Sequence, residues 1–238
     1  MIHSKNEMTI TVIGDSIAKG IATEGMKLTR VDTCASFLVG EYLGVEIRNL
    51  SVYGQTIRRV KEKKLIEDYL KNLDKTKNNK LVFSIGGNDA DFDWQEVAKR
   101  PEGKHLPKTP ENEFISIIES MIDVLKKNGV DVWITGLPPV NSERYFNNVI
   151  CKITDGEKIM QFYGGDISNI QRHQELYNFL LYKLAVKTNC HFLDVRSLFL
   201  RDKEFLNKFC QDGVHPNKEG HRVLANEIIE QIKVHKKL

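Results

Sequence analysis

Short, almost wholly apolar runs alternate along this chain with longer stretches of helical periodicity. Thr9-Ile10-Thr11-Val12-Ile13 is rich in β-branched residues and stops at Gly14, which predicts a strand. Further strands are expected at Val45–Leu50, Leu81–Ile85, Val130–Thr135 and Phe192–Val195. Helices are expected between them at Ala35–Leu43, Ile57–Leu73, Phe114–Leu125 and Ile167–Asn189, with a last one over Asn217–Ile232 after Pro216. Apolar runs without polar alternation fit strands buried on both faces. Strand–helix alternation predicts an α/β fold, a parallel sheet with helices on both faces. Ligands in such folds bind beyond the carboxyl ends of the strands, so functional residues should fall just after them.

A length of 238 residues suits one α/β domain, expected here over 1–238. Two long connections interrupt the rhythm. Residues 90–110 carry Phe92 and Trp94 ahead of three prolines, and residues 137–166 carry Tyr145, Phe146, Phe162 and Tyr163. Both leave carboxyl ends of strands. Long loops are often lids, so both are expected to lie near the site, with Phe92 and Trp94 against substrate.

Charge excludes other classes. Lysine plus arginine exceed aspartate plus glutamate by only three, and the basic runs Arg58–Lys64 and Lys233–Lys237 read as solvated surface. A nucleic-acid partner would demand a clustered basic face. No run approaches the roughly 20 apolar residues of a membrane span. The first residues lack an apolar signal core, so a cytoplasmic chain is expected, and with it free thiols at Cys34, Cys151, Cys190 and Cys210. No metal-ligand spacing occurs among the histidines, and neither metal nor cofactor is expected. Oligomeric state is left open.

Four segments fall where the sheet predicts function. Gly14-Asp15-Ser16 ends the first strand, where a turn exposes a hydroxyl and a helix start offers N–H groups. Gly54 follows the second strand, after Asn49. Gly86-Gly87-Asn88-Asp89 ends the third, and an Asn amide offers two donors. Asp212-Gly213-Val214-His215 precedes the last helix; a His can take a serine's proton while a carboxylate holds its tautomer. Alone, each segment reads equally well as a cap, a turn or surface. Their ordered coincidence by residue frequency is on the order of 10⁻⁴ or less.

Taken together, the segments resemble the SGNH, or GDSL-type, hydrolase superfamily from Thr9 to His215, with Ile17 where the family name has Leu. The resemblance implies a flavodoxin-like three-layer α/β/α sandwich with a five-stranded parallel sheet. It implies Ser16 as nucleophile, His215 as general base and Asp212 as its orienting carboxylate. It also implies an oxyanion hole from the Ser16 and Gly54 N–H groups and the Asn88 amide. The expected activity is a serine esterase or acylhydrolase cleaving a carboxylic ester, with a short acyl or acetyl group favoured. Asp15 and Asp89 join Phe92 and Trp94 as expected substrate contacts, and the partner is a small-molecule or carbohydrate ester. Lys19, Lys27 and Arg30 would favour an anionic substrate unless they are ordinary surface charges.

Other readings stay open at this point. The same apparatus serves a lysophospholipase or thioesterase acting on longer acyl chains, or a fold that only binds. A nucleotide or flavin site would call for a phosphate-cradling loop, which Gly14-Asp15-Ser16-Ile17 lacks. His221 is a rival base, but it falls inside the last helical pattern.

Overall fold

The computed structural model describes residues 7–25 and 27–235. Its strands are β1 (Met8–Gly14), β2 (Ile21–Glu24), β3 (Lys27–Arg30), β4 (Ile47–Asn49), β5 (Asn78–Ser84), β6 (Asp131–Thr135) and β7 (His191–Leu193). Five of them form one parallel sheet in the order β4-β1-β5-β6-β7. Numbered within that sheet the order is 2-1-3-4-5, the flavodoxin-like winding. The reversal of direction falls at β1, flanked by β4 and β5.

The principal helices are α1 (Ser16–Lys19), α2 (Ala35–Leu43), α3 (Ile57–Glu62), α4 (Leu65–Lys71), α5 (Trp94–Lys99), α6 (Glu111–Lys127), α7 (Ser142–Tyr145), α8 (Cys151–Ile153), α9 (Gly156–Phe162), α10 (Ser168–Thr188), α11 (Ser197–Leu200) and α12 (Lys218–His235). On one sheet face Ile13, Leu81, Phe83, Val132 and Ile134 are buried against α3, α4, α6 and α10. Phe114, Ile118, Ile122 and Leu125 recur at three- and four-residue spacing on α6, which turns one stripe inward. Each such side chain contributes about 1.5–3 kcal/mol by leaving water. On the other face α2 and α12 pack on each other. Among the described residues, no helix is long and apolar enough to cross a membrane.

The sequence expectations need three corrections. The helix expected over 57–73 is two helices, parted where Lys64 takes a left-handed conformation with φ of 53°. Ile57 and Val60 face the core, and the next position on that stripe is Lys64, whose charge cannot follow them in. The break instead brings Ile66 and Tyr69 onto the core.

Secondly, residues 90–110 and 137–166 are not structureless. They contain α5, α7, α8 and α9 and a π-helical stretch over Phe146–Ile150. Their rings bury each other in a second apolar cluster that includes Phe92, Trp94, Val97, Ile150 and Ile159.

Thirdly, β2 and β3 form an antiparallel hairpin that the hydropathy pattern does not reveal. Exposed Glu24, Lys27 and Arg30 leave it only one apolar side. Of the four free cysteines, Cys34 and Cys210 are buried, Cys190 is half-buried and Cys151 is exposed.

Candidate active site

Gly14-Asp15-Ser16 leaves the carboxyl end of β1 and turns at once into α1. A Cβ at Gly14 would lie 2.6 Å from the Ser84 carbonyl oxygen and 2.9 Å from Ser51 Oγ, so only glycine fits between the neighbouring strands. Ser16 is the first residue of α1, and its N–H has no acceptor within the helix.

From the far end of the chain, the loop before α12 brings His215 to this serine. His215 Nε2 lies 2.8 Å from Ser16 Oγ, and His215 Nδ1 lies 2.7 Å from Asp212 Oδ2. The two Asp212 oxygens have separate work. Oδ1 accepts the N–H groups of Val214 and His215 at 2.8 and 3.0 Å, which folds the loop around the carboxylate. Oδ2 accepts from His215 Nδ1 and from the Thr23 hydroxyl, at 2.7 Å each.

Burial raises the Asp212 carboxyl, but the hydrogen bond and charge of His215 and the Thr23 hydroxyl outweigh it and hold the group at about 2. An ionised carboxylate only accepts, so Nδ1 carries the imidazole proton and Nε2 faces the serine hydroxyl as acceptor. That tautomer can remove the proton of Ser16.

Residues 137–166 brace the same loop. The Asn141 N–H donates to the Gly213 carbonyl at 2.9 Å, and Arg144 donates to the carbonyls of Leu206 and Cys210 at 2.9 and 3.4 Å. Gly213 turns there with φ of +71°, and a Cβ on it would meet Arg144 Cβ at 2.7 Å. A side chain at this position is excluded by conformation and by space.

The next two strand ends carry further hydrogen-bond donors. The Val52 N–H donates to the Gly14 carbonyl at 3.1 Å, tying the segment that leads into Gly54 to the serine turn. Asn88 Nδ2 donates to the Gln55 carbonyl at 3.2 Å, next to Gly54. An amide nitrogen has two hydrogens, so one remains for another acceptor.

Asp15 and Asp89 hold backbone. Asp15 accepts the Ile17 N–H at 3.0 Å, and Asp89 accepts the Ile57 N–H at 2.9 Å. Asp89 has no exposed surface, so it presents no carboxylate to a bound molecule, whereas Asp15 is 5 % exposed, much as Ser16 is at 6 %. Burial raises the Asp15 carboxyl to about 6 and Asp89 to about 7.

Phe92 and Trp94 are also buried, at 8 % and 4 %, and their ring partners are Tyr145, Phe162, Tyr163 and His173. The ring beside His215 is a different one. Tyr53 stacks at 6.4 Å between centroids and 14° between planes, and is half exposed. Its place directly before Gly54 was the one sequence signal for it. His221 sits within α12, fully buried, and its Nδ1 accepts the Ala35 N–H rather than meeting Ser16. Lys27 and Arg30 are exposed on the hairpin.

Known proteins match this chain in sequence profile and in fold. The profile of the family described as GDSL-like Lipase/Acylhydrolase matches residues 10–228. A lipase/acylhydrolase from Enterococcus faecalis superposes with a TM-score of 0.62 at 18% identity, covering 96% of this chain and 97% of its own. The acetyl xylan esterase AlAXEase gives 0.62 at 18%, covering 94% and 99%. Axe2, an acetylxylan esterase from Geobacillus stearothermophilus, gives 0.61 at 19%, covering 95% and 94%. At these identities the likeness carries the fold alone. A comparison with curated proteins gave no match. With its profile matched over nearly the whole chain, this protein belongs to the GDSL-like lipase/acylhydrolase family.

Proposed function

We propose that the protein is a serine esterase that cleaves a carboxylic ester through an acyl-enzyme on Ser16. The observation that carries this reading is the unbroken hydrogen-bond chain from Ser16 Oγ through His215 to Asp212. A serine hydroxyl is a weak nucleophile until a base takes its proton. As Oγ attacks the ester carbonyl, its proton passes to His215 Nε2, and the imidazolium is stabilised by Asp212. The carbonyl oxygen becomes negative and needs fixed donors. Those are the N–H groups of Ser16 and Gly54 and the second Asn88 amide hydrogen.

Collapse of the tetrahedral adduct breaks the bond to the leaving alkoxide, which takes the proton from His215. A water that gives its proton to His215 then attacks the acyl-enzyme, and the acid leaves as Ser16 recovers its proton. Thr23 and the residues bracing Gly213 position the carboxylate and the imidazole.

A short acyl group, acetyl in the first instance, is favoured. The rings of 90–110 and 137–166 pack chiefly on one another, which favours a shallow acyl pocket over a long channel beside Ser16. Tyr53 is placed to contact the leaving group beside His215. Structural neighbours named acetylxylan esterases make an acetylated carbohydrate the first substrate class to try.

Hydrolysis of p-nitrophenyl esters from acetate to palmitate, with Ser16→Ala alongside, tests this. Turnover greatest at acetate and abolished in the variant is expected. A preference for acyl chains above about ten carbons would overturn the short-acyl assignment, and turnover surviving in Ser16→Ala would overturn the nucleophile.

A further inference from the structure

Between the sheet and the pair α2 and α12 lies a cavity of about 260 Å³. Its walls are mostly aliphatic, with Ile10, Val12 and Val82 from the sheet, Val39 from α2, and Leu224 and Ile228 from α12. It runs from Ser84 and Thr135, at the carboxyl ends of β5 and β6, to Lys80 and Asp131 near their starts. It reaches Ile17 and Ala18 of α1, whereas Ser16, Asp212 and His215 do not line it. It is therefore separate from the site assigned to ester cleavage.

One fully buried polar ring interrupts the lining. His221 projects from α12 with no exposed surface. Its Nδ1 accepts the Ala35 N–H at 3.4 Å, at the start of α2, where Cys34 supplies no side-chain cap. Burial first, and the neighbouring His215 second, push the ring down to about 4, so it is neutral near pH 7. A neutral imidazole that accepts at Nδ1 carries its proton on Nε2. That Nε2 has no hydrogen-bond partner among the described residues.

Cavities walled mostly by aliphatic side chains take up apolar molecules. A buried N–H calls for an acceptor. We infer that the cavity is a binding site for an uncharged, medium-chain aliphatic molecule whose terminal oxygen accepts a hydrogen bond from His221, as an aliphatic alcohol does. A carboxylate head is disfavoured. Lys80, the cation that lines the cavity, lies at the opposite end and is paired with Asp131 at 2.5 Å. An anion beside His221 would lose its hydration without a counter-ion.

The test is a titration of ¹⁵N-labelled protein with 1-octanol and, separately, octanoate, followed by NMR. Saturable 1-octanol binding that shifts the His221 ring nitrogens and the Ala35 amide is expected, with octanoate at least tenfold weaker. His221→Leu should weaken 1-octanol about tenfold, as loss of one ordinary hydrogen bond does. Val39→Phe, which narrows the cavity, should weaken binding at least tenfold. If either variant fails to fold, the wild-type shifts decide. No saturable binding, shifts confined to Tyr53 and His215, or unchanged binding in folded Val39→Phe would overturn the assignment. Loss of the esterase reading would leave this site untouched, because no lining group belongs to that reading.

Discussion

Thr23 and Asp212 stand 189 positions apart in sequence and are joined by a 2.7 Å hydrogen bond from the Thr23 hydroxyl to Oδ2. The same oxygen accepts from His215 Nδ1, so the threonine fixes the carboxylate that fixes the base. The hairpin that carries Thr23 is anchored to this loop a second time, by the Thr23 N–H on Cys210 Sγ at 3.3 Å. Bonds to charged groups contribute about 1.5–3 kcal/mol. Thr23→Val, which keeps shape and removes the hydroxyl, should lower kcat about tenfold with little change in KM. Thr23→Ser should restore it. Equal kcat for Thr23→Val and wild type would remove the hydroxyl from the account.

Asn88 is expected to act through its free amide hydrogen. Loss of a single oxyanion donor typically costs about 10²–10³ in turnover. Asn88→Ala should lose that much in kcat on p-nitrophenyl acetate while KM changes little. A loss below about threefold would mean that Asn88 only holds the Gln55 carbonyl.

Asp89 gives a pH signature in stability. Burial raises its carboxyl to about 7 in the folded chain, against about 3.9 when unfolded. Between those values the folded state binds more protons than the unfolded state, so this group's contribution falls as pH rises. It is most favourable below about 4 and is lost above about 7. Buried His221, lowered to about 4, has the opposite slope, but that slope is common to the variant and the parent. Asp89→Asn keeps an acceptor for the Ile57 N–H and removes the titration. Relative to wild type, the variant should be more stable at pH 8 than at pH 5 in urea unfolding. An equal difference at both pH values would contradict the raised carboxyl.

The five strands of the sheet and the four motif segments were legible because both follow from local chemistry. Parallel strands buried on two faces read as unbroken apolar runs, and Gly14 and Gly86 mark where two of them stop. Ser16, Asn88 and His215 fall just past or between elements whose types were readable. The hairpin Ile21–Arg30 was not, since each strand is only four residues long and one side faces solvent. The partnership of Thr23 with Asp212 depends on a long-range approach that no spacing encodes. The aromatic residues of 90–110 and 137–166 misled for a related reason. Helices such as Trp94–Lys99 and Gly156–Phe162 are too short to show a period, so rings that form a core looked like rings on a loop. Lys64 shows the converse, a single charge on an apolar stripe that ends a helix which propensity alone would continue.

The most direct test of Ser16 as an activated nucleophile is covalent labelling with a serine-directed fluorophosphonate, read by intact-mass and peptide mass spectrometry. One adduct on the Ser16 peptide, absent in Ser16→Ala and strongly slowed in His215→Ala, is the expected result. Wild-type protein that stays unlabelled, or that labels at the same rate without His215, would contradict the assignment.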